Sequence, residues 1–290
     1  MNLNILVLAK QVPDTRNVGK DAMTPEGTVN RSALPAIFNP EDLNALEQAL
    51  QLKDRYPLST VNVLTMGPFR AAEIVREALY RGADGGIVLS DRAFAGSDTL
   101  ATSYALSSAI RKMGNIDIIF CGRQAIDGDT AQVGPQVAEK LGWKQITYAE
   151  TIDQIDSEKI VIKRRIDKGV EHVSTSLPVL ITVNGSAAEC RPRNAKRVMK
   201  YKYARIPNEL QNSNEDYISL YNSRDFLQIG EWCVRDIDCD LNELGLSGSP
   251  TKVKKVENVV FQAKESKTLS SSDSDIESLM IELIRQHTIG

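Results

Sequence analysis

Four short apolar runs, each followed by a stretch with apolar residues at helical spacing, fill the first half of this chain. Leu3 to Ala9, Thr60 to Met66, Gly86 to Leu89 and Ile116 to Cys121 read as buried strands. Glu41 to Arg55 places Leu43, Leu46, Ala49 and Leu50 on one helical face, with Asn39 as N-cap and Pro40 at the first helical position. Pro68 to Arg81 repeats the pattern through Ala71, Ile74, Val75, Ala78 and Leu79. Asp98 to Lys112, started by Ser97 or Asp98, and Thr130 to Leu141 complete the series. Such alternation leaves few options. It predicts an α/β fold with a mainly parallel sheet and helices on both faces.

The junction after the fourth run carries the most chemistry. Cys121-Gly122-Arg123-Gln124-Ala125-Ile126-Asp127-Gly128-Asp129-Thr130-Ala131-Gln132-Val133-Gly134 joins a strand to a helix. Open α/β sheets bind ligands at this edge. The loop offers small residues for close backbone approach, two acids, an amide and a cation. Its exit is a helix amino terminus, whose free N–H groups and positive dipole end suit a phosphate. Turn-forming Gly and Asp alone would explain the composition equally well.

Composition removes several classes. A formal net charge of −3 does not suggest nucleic acid as a partner. No apolar run reaches the roughly 18 residues a bilayer span needs, so no membrane insertion is expected. Met1-Asn2-Leu3-Asn4-Ile5 enters a strand without a charged leader, which does not read as a signal peptide. Cysteines at 121, 190, 233 and 239 include no Cys-x-x-Cys pair, and only His172 and His287 accompany them. No disulfide framework and no metal site is expected, and reduced cysteines point to a cytoplasmic setting or an organelle lumen.

After Trp143 the pattern changes. Ile146 to Ile152, Lys159 to Ile166, Val170 to Thr175 and Val179 to Val183 read as strands. Lys159 to Arg165 mixes apolar and basic residues, as an edge hairpin with one wet face would, and Asp167-Lys168-Gly169 is its turn. Residues 189 to 205 concentrate Arg191, Arg193, Lys196, Arg197, Lys200, Lys202 and Arg205, either a solvated helix face or a docking segment. From Ile206 onward the chain is polar. Asn208 to Asn222 and Lys264 to Asp275 look unsuited to a compact core, before a last amphipathic helix through Ile276, Leu279, Met280, Leu283 and Ile284, capped by Ser274 or Asp275. A tail of this kind should lie on another surface, its own domain or a partner. We expect a nucleotide-binding α/β domain over 1–188, and over 189–290 a basic docking segment with an extended C-terminal arm.

The 122–134 string resembles the nucleotide-binding signature of the electron-transfer flavoprotein β subunit. The resemblance extends to Leu8-Ala9-Lys10-Gln11-Val12-Pro13-Asp14-Thr15, to Asn39-Pro40-Glu41-Asp42 with Ala45 to Leu50, and to Gly245-Leu246-Ser247-Gly248-Ser249-Pro250-Thr251. It implies an adenine-nucleotide-hydrolase-like fold, in keeping with a first βα turn that lacks G-x-G-x-x-G. It also implies a heterodimer with an α subunit that carries a redox-active FAD, the C-terminal arm of 189–290 packing on that subunit. The β subunit adds a second nucleotide, AMP in the housekeeping branch and FAD in the electron-bifurcating branch. The resemblance places nucleotide contacts on Ala9, Asn39, Pro40, Glu41, Asp42, Met66, Gly122, Arg123, Gln124, Ala125, Ile126, Asp127, Gly128, Asp129, Thr130, Ala131, Gln132 and Val133.

Residue chemistry assigns roles within that set. Ala9 leaves room for an adenine ring, and the Ala9 and Met66 backbones can bond its edge. Asn39 offers an amide to base or ribose. Asp127 and Asp129 suit ribose hydroxyls or helix capping better than phosphate. The N–H groups of Thr130 to Val133, the Thr130 hydroxyl and Gln132 suit phosphate, with Arg123 as the nearby cation. Glu41 and Asp42 either favour the positive end of a helix or mark the flavin branch, which Lys10 to Asp14 also resembles. In that branch, carboxylates near an isoalloxazine raise the cost of an anionic reduced flavin. The expected cofactor is therefore FAD, with AMP as the alternative. The expected partners are the α subunit and a flavin dehydrogenase, with NADH and ferredoxin or flavodoxin added in the bifurcating branch. The chain then carries electrons, within an NADH-dependent oxidoreductase if bifurcation occurs.

One position departs from the family pattern. Members that reoxidise acyl-CoA dehydrogenases carry an anchoring leucine upstream of a Met-Lys pair. Counting back from Met199-Lys200, that position is Ala195, which offers little apolar area. The rival readings are an adenylate-sensing module, which would need neither basic segment nor tail, and an ATP-using ligase or hydrolase. The latter would want an early Ser-Gly-Gly loop that the sequence lacks.

Overall fold

A computed structural model describes residues 1–14, 35–156, 158–211, 216–251, 266, 268–286 and 288–289. Thr15, His287 and parts of the polar stretches 208–222 and 264–275 lie outside the described residues.

The alternation builds the expected sheet. The strands are β1 (Asn4–Leu8), β2 (Gln11–Pro13), β3 (Ala36–Phe38), β4 (Thr60–Met66), β5 (Gly85–Leu89), β6 (Ile118–Gly122), β7 (Lys144–Ile155), β8 (Ile160–Ile166), β9 (Gly169–Thr175), β10 (Val179–Val183) and β11 (Gly230–Trp232). Nine of them form one sheet in the order β11-β5-β4-β1-β6-β10-β7-β8-β9, while β2 and β3 pair antiparallel beside it. From β11 to β7 every pairing is parallel; β7, β8 and β9 are antiparallel and form the expected edge hairpin with its neighbour.

The helices are α1 (Pro40–Arg55), α2 (Ala72–Arg81), α3 (Thr99–Met113), α4 (Val133–Leu141), α5 (Ala195–Tyr201), α6 (Pro207–Leu210), α7 (Ile218–Asn222) and α8 (Asp273–Arg285). Parallel strands buried on both faces need two apolar layers. On one face Ala45, Leu46, Ala49 and Leu50 of α1 and Ile74, Val75, Ala78 and Leu79 of α2 pack on Val7, Val63 and Phe120. On the other, Ala105, Leu106, Ala109 and Ile110 of α3 and Val137 and Ala138 of α4 pack on Leu6, Leu64 and Ile119. The chain runs from β1 outward to β4 and β5, then returns to the other side of β1 as β6. The crevice between the carboxyl ends of β1 and β6 is thus the point where strand order reverses, where α/β sheets hold ligands.

Beyond residue 188 the core continues. Tyr201, Ala204, Ile206, Tyr221, Leu227 and Ile229 are buried in the first apolar layer, and Ile237 and Leu244 in the second. β11 extends the sheet beside β5. The stretch up to Thr251 therefore packs on the chain's own domain. Its apolar residues lack helical or alternate spacing because they anchor irregular segments. The N-cap of α8 is Ser272, whose hydroxyl accepts the Asp275 N–H; Ser274 and Asp275, the expected caps, lie inside its first turn. Among the described residues no helix is long and apolar enough to cross a membrane.

Candidate functional site

Four side chains gather the reversal point into one unit. Asp42, in the first turn of α1, accepts the Lys10 N–H on Oδ2 at 2.8 Å and the Gly122 N–H on Oδ1 at 2.8 Å. One carboxylate so ties the ends of β1 and β6. Burial pushes its pKa up to about 7; the two N–H donors and Asn39 hold it down, and Glu41 adds to the rise. Burial and the Asp42 charge also push the Cys121 thiol far above its ordinary range. Glu41 accepts the Gln124 N–H at 2.9 Å and an Arg123 N–H at 3.0 Å.

Asn39 sits at the expected N-cap position but does not cap. Its amide nitrogen donates to the Gln124 carbonyl at 2.9 Å, and its Oδ1 accepts the Ile126 N–H at 3.2 Å. Lys10 Nζ reaches across to Asp127 at 2.7 Å. The start of α1 and the first βα turn thus grip residues 122–127. Glu41 and Asp42 are turned toward backbone N–H groups and Arg123, with neither helix capping nor solvent as their main contact.

The rest of the loop stands open. Asp129 and Ala131 hold positive φ angles of 49° and 52°, which non-glycine residues adopt at a cost of roughly 1–3 kcal/mol each. These two angles delay the helix, which starts at Val133 where the sequence predicted Thr130. Gln124 Nε2 donates to Asp129 Oδ1 at 2.7 Å, and Thr99 Oγ1 donates to Gln132 Oε1 at 2.8 Å. The N–H groups of Thr130, Ala131 and Gln132 bond no other backbone group among the described residues. They adjoin the positive end of α4, an arrangement that can bind an anion.

Glycine is required at two places. A Cβ on Gly122 would lie 2.6 Å from Asp42 Oδ1 and 2.8 Å from the Glu41 carbonyl carbon. One on Gly134 would meet Thr182 Cγ2 at 2.8 Å and Cys121 Sγ at 2.9 Å. At Gly128 a Cβ would meet nothing within 4 Å. Gly128 therefore matters only toward a ligand above the loop.

Ala9 and Met66 end adjacent strands on the same edge, as expected. Ala9 is buried, and its N–H is committed to the Leu64 carbonyl at 3.0 Å. Met66 is half-buried. Sequence reasoning missed Tyr148, Thr99 and Gly185 at this edge. Tyr148 lies within reach of Arg123, and a Cβ on Gly185 would come 3.5 Å from Glu41 Oε1. None of the three belongs to a motif; each reaches the site through pairing distant in sequence. Among the described residues no cluster of His, Cys, Asp or Glu could hold a metal.

The basic segment is fixed at its base and exposed at its tip. Arg191 donates to Glu47 through Nε and Nη2, both at 2.9 Å, and to Asp54 at 2.8 Å. Arg193 pairs with Glu77 at 2.5 Å. Asn194 then caps α5 by accepting the Arg197 N–H. Ala195, Lys196 and Lys200 are exposed on this helix, and Met199 is 71% exposed.

Comparison with known proteins gives a consistent result. The model of the electron transfer flavoprotein domain matches residues 26–206. The electron transfer flavoprotein subunit beta of Thermoanaerobacterium thermosaccharolyticum is 43% identical over 251 residues, spanning 87% of this chain and 86% of that protein. The subunit of the same name from Clostridium acetobutylicum is 44% identical over 253 residues, spanning 87% of each. Protein FixA of Azotobacter vinelandii is 40% identical over 299 aligned positions, spanning 98% of this chain and 96% of FixA.

Proposed function

This chain belongs to the electron transfer flavoprotein family as a β subunit, and from that premise we propose that it carries an adenine nucleotide at the reversal point and works in electron transfer beside an α subunit. The carrying observation is the grip of Asn39, Glu41, Asp42 and Lys10 on residues 122–127. Beside it the amides of Thr130, Ala131 and Gln132, which bond no other backbone group among the described residues, and the amino end of α4 form the proposed anion-binding surface. In this reading those amides and the Thr130 hydroxyl hold phosphate oxygens. Arg123 supplies positive charge, and the space above Gly128 admits the nucleotide.

FAD is the proposed nucleotide, on the strength of the Lys10 to Asp14 segment. When bound, it supplies hydride and single-electron chemistry; the chain's own residues contribute binding, position and local field. NADH as donor, and ferredoxin or flavodoxin as the low-potential acceptor, would follow for a bifurcating complex. One observation favours AMP as a second reading. Glu41 and Asp42 are engaged by backbone N–H groups and Arg123, so their role in the junction accounts for both acids without a flavin. Exposed α5, with Met199 and its lysines, is the proposed contact for a flavin dehydrogenase, and α8 for the α subunit.

The test is the nucleotide content of the chain co-purified with its α subunit. Two FAD per heterodimer supports the leading reading. One FAD and one AMP selects the second, and with it the case for bifurcation falls. No adenine nucleotide on the β side rejects both.

A further inference from the structure

Tyr148 is strained and exposed, and its ring meets Arg123, the cation of the proposed nucleotide site, yet no motif includes it. It holds φ at 59° in β7, where the pairing with β10 loses register between Ile181 and Val183. A bulky residue keeps such a backbone only when its surroundings over-determine it. Here the Tyr148 N–H donates to Thr182 Oγ1 at 3.2 Å. Thr182 Cγ2 in turn occupies the space beside Gly134, in the first turn of α4. The bulge is thus packed through Thr182 against the amino end of α4.

The ring of Tyr148 remains 38% exposed, an unusual use of a large aromatic at a sheet edge. Its contact is Arg123, whose guanidinium carbon lies 5.9 Å from the ring centroid. That is within the range of a cation–π contact. Arg123 also donates to Glu41 Oε1 at 3.0 Å, while its buried Nε–H has no partner among the described residues. The guanidinium is therefore held at two points, ring and carboxylate, with donor capacity left over.

We propose that Tyr148 is a positioning residue for phosphate recognition: the bulge presents its ring to Arg123 and fixes that cation at the start of the 122–134 loop. The inference rests on the nucleotide reading above. It adds that the ring, through Arg123, strengthens binding of phosphate-bearing ligands and leaves the adenosine moiety untouched. A bulge that serves only to twist the sheet edge would need no ring.

The experiment uses the full chain co-expressed with its α subunit and stripped of nucleotide. Adenosine and ADP are titrated against wild type, Tyr148→Phe, Tyr148→Gly, Arg123→Met and the Tyr148→Gly/Arg123→Met double variant. Tyr148→Phe keeps the ring, and Tyr148→Gly removes it while suiting the positive φ, so the fold survives; thermal unfolding verifies this, with Tyr148→Asn as a second ringless variant suited to that φ. We expect ADP affinity within about twofold of wild type for Phe and about tenfold weaker for Gly, with adenosine unchanged. In the Arg123→Met background the Gly substitution should add nothing. ADP affinity unchanged in Tyr148→Gly, or equal losses for adenosine and ADP, overturns the proposal while leaving the nucleotide reading intact. A wild-type chain that binds neither compound overturns both.

Discussion

The Thr251 hydroxyl donates to Asp98 Oδ2 at 2.7 Å, while Oδ1 of the same carboxylate caps α3 by accepting the Leu100 and Ala101 N–H groups. The Asp98 N–H completes the knot on Ser249 Oγ at 2.8 Å. A helix start and the end of a late chain segment therefore share one side chain. Burial would raise the Asp98 pKa, but the Thr251, Ala101 and Leu100 hydrogen bonds outweigh it and hold the group below its ordinary value.

Removing either partner separates these two duties. Asp98→Ala should cost about 1 kcal/mol from the lost cap and release the 244–251 segment as well. Thr251→Val should loosen the segment, which keeps the Thr251 N–H bond to Asp98 Oδ2 at 3.1 Å, and leave the cap. Thermal unfolding reads the first effect, and protease cleavage within the 244–251 segment reads the second. Because the folded pKa lies below the unfolded one, the Asp98 contribution is present above the unfolded value and declines as pH falls through the folded value. Asp98→Ala should lose that acid-side slope.

Asp42 reverses the sign. Its folded pKa of about 7 lies above the unfolded value of 3.8. Between these values the folded chain holds a proton that the unfolded chain has released. Stability from this group therefore falls as pH rises from about 4 to 7 and is level above. Asp42→Asn should flatten that window in denaturant titrations. It should also loosen the junction, because one amide N–H must then face a backbone donor, Lys10 or Gly122. Faster amide exchange at Gly122 than in wild type is the expected local sign.

Gly122 and Gly128 of the loop should respond in opposite ways. Gly122→Ala places Cβ against the Asp42 carboxylate and the Glu41 backbone, and should cost on the order of 1–3 kcal/mol. Gly128→Val meets open space and should leave unfolding unchanged. Under the proposed function it should still lower bound nucleotide after purification, since its side chain then stands where the ligand approaches. Equal nucleotide content in Gly128→Val and wild type would argue against binding over this loop.

Glu47→Ala should unseat the basic segment. Glu47 is buried and receives two Arg191 side-chain bonds and the Arg191 N–H at 3.0 Å. Losing it leaves a half-buried guanidinium without its main partner, a cost on the order of 2 kcal/mol after allowance for solvent access. Neighbouring Cys190 reports the change. Burial, with Glu47 next, pushes its thiol up to about 12, so it should alkylate slowly in the wild type. Faster alkylation in Glu47→Ala is the expected outcome.

Much of this was legible in the chain because the parallel sheet writes itself as period. The bounds expected for β4 and β10 match, and those of α1 and α2 fall within a few residues. Asn39 shows where local reasoning stops. Cap position follows from sequence, but its side chain turned to Gln124 and Ile126 because the loop's backbone offered better partners. Glu41 and Asp42 were visible as acids at a helix start, and their grip on two strand ends was not. Ile206, Tyr221 and Leu244 looked polar by association, since no period marks an anchor in irregular chain. Tyr148 reads as an ordinary strand residue in the sequence, because a bulge is set by pairing with a strand more than thirty residues away.

The place of β10 has a consequence for the order in which the molecule comes together. It is the strand between β6 and β7, yet it follows the whole β7–β9 excursion in the chain. During synthesis β6 is therefore left with one open side until residue 183 has left the ribosome. Val183 also accepts the Arg123 N–H, at 2.9 Å. The loop's first residue thus has no final anchor until sixty more have been made. Non-local parallel pairing of this kind is slow, and it leaves an apolar strand edge available to other chains while it waits.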